Sequence, residues 1–167
     1  SQKLIFTRFF ALNFMIIIIL IVTIIIANFK VLSIYSNMDT DIFAIPKLAL
    51  IWIVPNIIFI TALGMFLTEI SSSLIAVFVG GAMWFVSVMG GSYSLTGIIG
   101  KFTLVCRHNS LYNANLFENS FDNFIFNRIF YTVLGIFLVL LTSLIYDKKR
   151  KGGFSGIIKN FKSKSTI

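Results

Sequence analysis

One cysteine, one histidine, two prolines and six acidic residues are spread over 167 positions, and each scarcity removes a class of function. With Cys106 alone, no intrachain disulfide and no cysteine-based metal cluster can form. A metal site needs several converging ligands, so the single histidine, His108 beside Arg107, reads as a polar residue at the membrane interface. No G-x-x-x-x-G-K-[ST] segment occurs, so the chain has no phosphate-cradling loop with which to hydrolyse ATP. The long apolar stretches hold no ionisable group away from their ends, and proton relays and intramembrane hydrolases need such groups at depth. An enzyme is therefore not expected, and no catalytic, metal-binding or cofactor-binding residue is nominated.

What the chain has in abundance is apolar surface: 57% hydrophobic residues against 12% charged, nineteen phenylalanines, and a mean hydropathy of +0.95. That balance reads as a membrane protein. About 20 apolar residues cross roughly 30 Å of hydrocarbon as a helix. Charge is absent between Arg8 and Lys30, from Leu48 to Thr68, from Ile70 to Gly100 and from Ile129 to Tyr146. The expected fold is all-α and polytopic, with about four transmembrane helices at 9–29, 48–69, 72–90 and 128–146. The first is a full span with charged flanks, longer than the apolar core of a cleavable signal peptide.

Four crossings put both termini on one side. That side carries Lys3, Arg8, Lys148, Lys149, Arg150, Lys151, Lys159, Lys162 and Lys164, against Lys30, Lys47, Lys101, Arg107 and Arg128 on the other. Nine cations against five place the termini in the cytoplasm of a multi-pass cell-membrane protein by the positive-inside rule. The basic tail at 147–167 competes between nucleic-acid binding and contact with lipid headgroups, and cations directly after a span favour the lipid surface, with no nucleic acid as partner. Within it Phe154, Ile157, Ile158 and Phe161 fall at i, i+3, i+4 and i+7, which suits either an amphipathic helix in the interface or, after Gly152 and Gly153, a disordered basic tail.

On the far side, 91–127 forms a semi-apolar segment broken by Gly90-Gly91 and Gly97-x-x-Gly100. Irregular backbone at membrane depth survives only where protein or a water-filled cavity covers it, so short re-entrant or interfacial helices are expected before the last span.

Several stretches, taken in order, resemble the C-terminal part of an ABC-2 type transporter permease, the membrane subunit of an ATP-driven ABC exporter. "SQKLIFTRFFALNF" is similar to the start of the third family helix, with Arg8 where a lysine is common; "IWIVPNIIFITALGMFLTEISSSLIAVFVGGAMWFVS" is similar to the fourth and fifth helices and their tight cytoplasmic turn. The broken segment resembles the re-entrant outer helices, and "NRIFYTVLGIFLVLLTSLIYDKKRKGG" the sixth helix with its basic end. The family has six membrane helices and this sequence matches helices three to six. A first residue, Ser1, other than methionine fits a portion of a longer subunit.

The resemblance implies a dimer of permease subunits, identical or not, working with ATP-binding cassette ATPase subunits that carry ATP and Mg. It also implies a path for a hydrophobic or amphipathic substrate such as a peptide or drug. On that view Glu69, Ser71, Ser72 and Ser73 approach the ATPase, although a helix-end carboxylate in the headgroup zone would look the same. Asn13, Asn56 and Ser87 are polar positions that either face a substrate path or hydrogen-bond between helices. Gly80 and Gly81 permit close helix approach, at a subunit interface or inside one subunit. The alternative to a permease is a small four-helix accessory or structural membrane protein without transport activity.

Overall fold

The computed structural model describes residues 2–34, 41–89, 102–105 and 116–151. Five helices occur among them: α1 (Gln2–Ile34), α2 (Ala44–Ile70), α3 (Ser73–Met89), α4 (Leu116–Asn119) and α5 (Phe121–Arg150). The second expected half of the basic tail, including Lys159 and Lys162, and most of 91–127, lie outside the described residues.

Apolar residues fill α1, α2 and α5 with so few charges that each is long and apolar enough to cross a bilayer, which makes the chain compatible with a multi-pass membrane protein. Among the described residues the count is three, where the charge-free stretches suggested four. The 17 residues of α3 rise about 26 Å, short of a hydrocarbon core of about 30 Å. Helix bounds also run beyond the charge-free stretches: α1 has 33 residues, rising about 50 Å, and α5 begins at Phe121 instead of near Arg128. Backbone hydrogen bonds continue a helix past the first charge, so charge marks the membrane boundary and not the helix end.

Pro55 sits inside α2 without ending it. A proline removes one main-chain donor and crowds the preceding turn, yet membrane helices keep such a residue when neighbouring groups satisfy the freed carbonyls. The helices alternate in direction. One end of the bundle gathers Gln2, the Ser71–Ser72 turn and Arg150, and is called the basic end below; the other gathers Met89, Phe102–Val105 and Phe121.

α2 is the central helix, packed against α1, α3 and most extensively α5. The buried cluster joins Ile5 and Phe9 of α1, Phe59 and Ala62 of α2, and Tyr131, Leu138 and Val139 of α5, with Leu104 closing one end. The rings of Phe59 and Tyr131 meet at a tilt of 57°, centroids 4.8 Å apart. Gly135 lets the two helices meet: a Cβ there would lie 3.0 Å from Ile58 Cγ2 and 3.1 Å from Phe59 Cα. Apolar side chains elsewhere, such as Phe14, Ile19, Phe78 and Val133, point outward, as a lipid-facing surface does.

Candidate functional site

The most densely bonded polar cluster lies where α5 begins. Asn127, Arg128 and Tyr131 sit at i, i+1 and i+4, so Asn127 and Tyr131 share a face while Arg128 turns about 100° toward α2. Across from them lie residues 102–105. Three consecutive carbonyls of that segment each accept from α5: Tyr131 Oη donates to Phe102 O at 2.5 Å, Asn127 Nδ2 to Thr103 O at 3.0 Å, and Arg128 Nη2 to Leu104 O at 3.4 Å. From the other side the Leu104 N–H donates to Ser87 Oγ of α3 at 3.2 Å.

Arg128 also ties in α2. Its Nη1 donates to Trp52 O at 2.8 Å and to Asn56 Oδ1 at 2.7 Å, and its guanidinium carbon lies 5.1 Å from the Phe124 ring centre. Trp52 stands three residues before Pro55, on the turn whose regular bonding the proline disturbs, so the arginine supplies a donor where the helix is weakest. Arg128 is 4% exposed and Asn127 0%. A buried cation costs several kcal/mol unless it is hydrogen-bonded, and the carbonyl and amide oxygens here provide that bonding. Chemically the cluster holds backbone in place.

At the basic end, Glu69 and Lys149 form an ion pair, Oε2 to Nζ at 3.8 Å, and the Lys149 ammonium also donates to Glu69 O. Ser71 ends α2 with its N–H on Leu67 O at 2.9 Å. Ser72 Oγ accepts from Ile75 N at 3.4 Å and Ser73 opens α3, so the turn is two residues long. All three serines are exposed. Lys148, Lys149 and Arg150 occupy the last turn of α5, with Lys151 capping it, where cations complement the carbonyl end of the helix dipole.

Of the polar positions singled out in the sequence, Asn56 and Ser87 both belong to the cluster around Arg128. Asn13 does not join them. It is buried in α1, its Nδ2 donates to Phe9 O at 2.8 Å, and its Oδ1 has no hydrogen-bond partner among the described residues. Gly80 and Gly81 would have nothing within 4 Å of an added Cβ, so no close helix contact forms there among the described residues. They border a groove between α2 and α3 with Gly64 and Thr68.

Sequence reasoning missed Arg128, Asn127, Tyr131 and Gly135. Arg128 was counted among the far-side cations, at the start of the span 128–146, because the apolar stretch after it is already long enough to span. The usable signal was its company: Asn127 and Tyr131 at helical spacing, then no charge until Asp147.

A second feature is a groove of about 680 Å³ between α1 and α2, with Thr142 of α5 at its floor. Ile5, Leu12, Ile16, Ile60 and Met65 make it apolar, and Arg8 and Glu69 stand at its basic end. Among the described residues no three of His, Cys, Asp and Glu converge. Comparison with family models, curated proteins and solved structures returns no match.

Proposed function

We propose that the chain is the four-helix C-terminal portion of an ABC-2 type permease subunit, part of an ATP-driven exporter. It would lie in the cell membrane with the basic end in the cytoplasm and α3 as the fourth crossing. The observation that carries this reading is the two-residue Ser71–Ser72 turn, exposed beside Glu69 and the basic end of α5. A turn so short couples α2 and α3 mechanically, and it offers an ATPase partner a surface of exposed serines flanked by Lys148, Lys149 and Arg150. ATP-driven closure of two such partners would press on this turn in each of two permease subunits. The path between the subunits would then open to a hydrophobic or amphipathic substrate.

The test is purification of the full-length subunit in mild detergent, with mass spectrometry and an ATPase assay. A stoichiometric ATP-binding subunit whose coupling is lost in Ser71→Trp or Ser72→Trp supports the reading. A lone four-helix protein with no ATPase sinks it. That outcome leaves the accessory-protein reading, which one observation favours: Asn56 and Ser87 spend their polar groups on bonds inside the chain and not on a path.

A further inference from the structure

We infer that the groove between α1 and α2 is a binding site for one anionic phospholipid, with an acyl chain along the groove and the phosphate at Arg8. The inference is independent of the transport reading, since it concerns a resident lipid and not a cargo.

Length is the first argument. Below a phosphate held at Arg8, the α1 side of the groove runs on to Ile16, about 12 Å at 1.5 Å per residue, which is most of one leaflet of a hydrocarbon core of about 30 Å. Its walls are apolar through Leu12, Ile60 and Met65, and the floor hydroxyl of Thr142 donates to Leu138 O of its own helix. Thr68 Oγ1 likewise donates to Gly64 O of its own helix, and with Thr61 these threonines are the uncharged polar side chains among the described residues that line the groove.

Charge selects the headgroup. Two ionised side chains stand at the mouth. Glu69 is paired with Lys149, whereas Arg8 is exposed and makes no ion pair or hydrogen bond within the described residues. The mouth thus presents one uncompensated cation at the level where headgroups lie. A guanidinium binds a phosphate diester through two parallel N–H groups, and a lipid whose phosphate charge is not neutralised by its own amine gains most from it.

Gly64 provides the means of testing this, because it lines the groove and has nothing within 4 Å of a built Cβ. A larger side chain there would enter the groove without displacing backbone. The experiment is native mass spectrometry of the full chain in mild detergent, titrated with phosphatidylglycerol or with phosphatidylcholine of matched chains. Circular dichroism and size exclusion would check that every variant is folded. One exposed cation near a lipid surface contributes about fivefold in affinity. The expected result is one tightly held phosphatidylglycerol, favoured about fivefold over phosphatidylcholine. Arg8→Gln should abolish the preference, Arg8→Lys should keep most of it, and Gly64→Leu should lower retention of both lipids. Equal binding of the two lipids by the unaltered chain would overturn the inference. So would a preference that survives Arg8→Gln, or retention unchanged by Gly64→Leu.

Discussion

Replacing Gly135 by alanine tests the packing of α2 on α5 with a single carbon atom. The added Cβ would sit 3.0 Å from Ile58 Cγ2, 3.1 Å from Phe59 Cα and 3.2 Å from Phe59 N, where ordinary contact begins near 3.4 Å. The shortfall is 3.4 − 3.0 = 0.4 Å at worst and 3.4 − 3.2 = 0.2 Å at best. Two of the three atoms are backbone, so no rotamer change relieves the clash and the helices must move apart. Overpacking of this kind costs about 1–3 kcal/mol. In water, alanine would recover about 1 kcal/mol through its higher helix propensity. In a bilayer that gain cancels, because separated helices stay helical when their backbone has no water to bond. The expected net destabilisation is therefore about 1–3 kcal/mol, and Gly135→Leu should be worse. Gly64→Ala, with open space around its Cβ, should stay within about 0.5 kcal/mol. Steric trapping in bicelles measures both. A Gly135→Ala variant as stable as Gly64→Ala would refute the close approach of the two helices.

Removing Arg128 with Met should destabilise by about 2–4 kcal/mol, because Trp52 O, Asn56 Oδ1 and Leu104 O lose a charged donor together. Asn56→Leu should cost less, and a double-mutant cycle should give a coupling of about 1–2 kcal/mol; a coupling near zero would remove the Arg128–Asn56 bond from the account. Glu69→Gln should change stability by less than about 1 kcal/mol, since the pair with Lys149 is partly solvated, and a loss that persists in high salt would contradict this. At the other end, the Asp41 carboxylate accepts from Phe43 N at 2.8 Å and from Lys47 Nζ at 3.3 Å, which together hold its pKa below the usual 3.8, the backbone bond first. Its folded-state pKa being depressed, any stabilisation it gives is present above 3.8 and disappears as pH falls through the lower folded value. Carbon-13 NMR titration should find the midpoint below 3.8 and find it raised only in part by Lys47→Ala; an unshifted midpoint would contradict the turn geometry.

Helices were legible in the sequence because apolar length is a one-dimensional property. The tight turn at Ser71–Ser72 was legible for the same reason, as Glu69 and the serines interrupt an otherwise apolar run. Arg128 was not, because hydropathy treats a charge as a boundary, while its burial depends on partners 72 and 76 residues away in the chain. Gly135 escaped notice beside the conspicuous Gly80-Gly81 pair. A glycine's use depends on what faces it, and among the described glycines only Gly135 faces another backbone closely. Asn56 and Ser87 were singled out for their polarity alone, and the partner that unites them became visible only with residues 102–105 in place.

The two ends of the bundle are held by bonds of different strength, and this sets where the fold can give. Around Arg128, buried hydrogen bonds join α2, α3, α5 and residues 102–105, and opening any of them would expose main-chain or guanidinium groups to lipid. Such exposure costs several kcal/mol per group. Around Glu69 the ties are the partly solvated ion pair with Lys149 and the bond from Lys149 to Glu69 O, whose loss leaves the partners free to bond water. Beside them α1 packs Ile5 and Phe9 into the buried cluster and leaves an open groove along α2. The polar ties around Arg128 are therefore costlier to open than those around Glu69, while the apolar cluster of Ile5, Phe9, Ala62, Leu138 and Val139 packs the helices between the two ends.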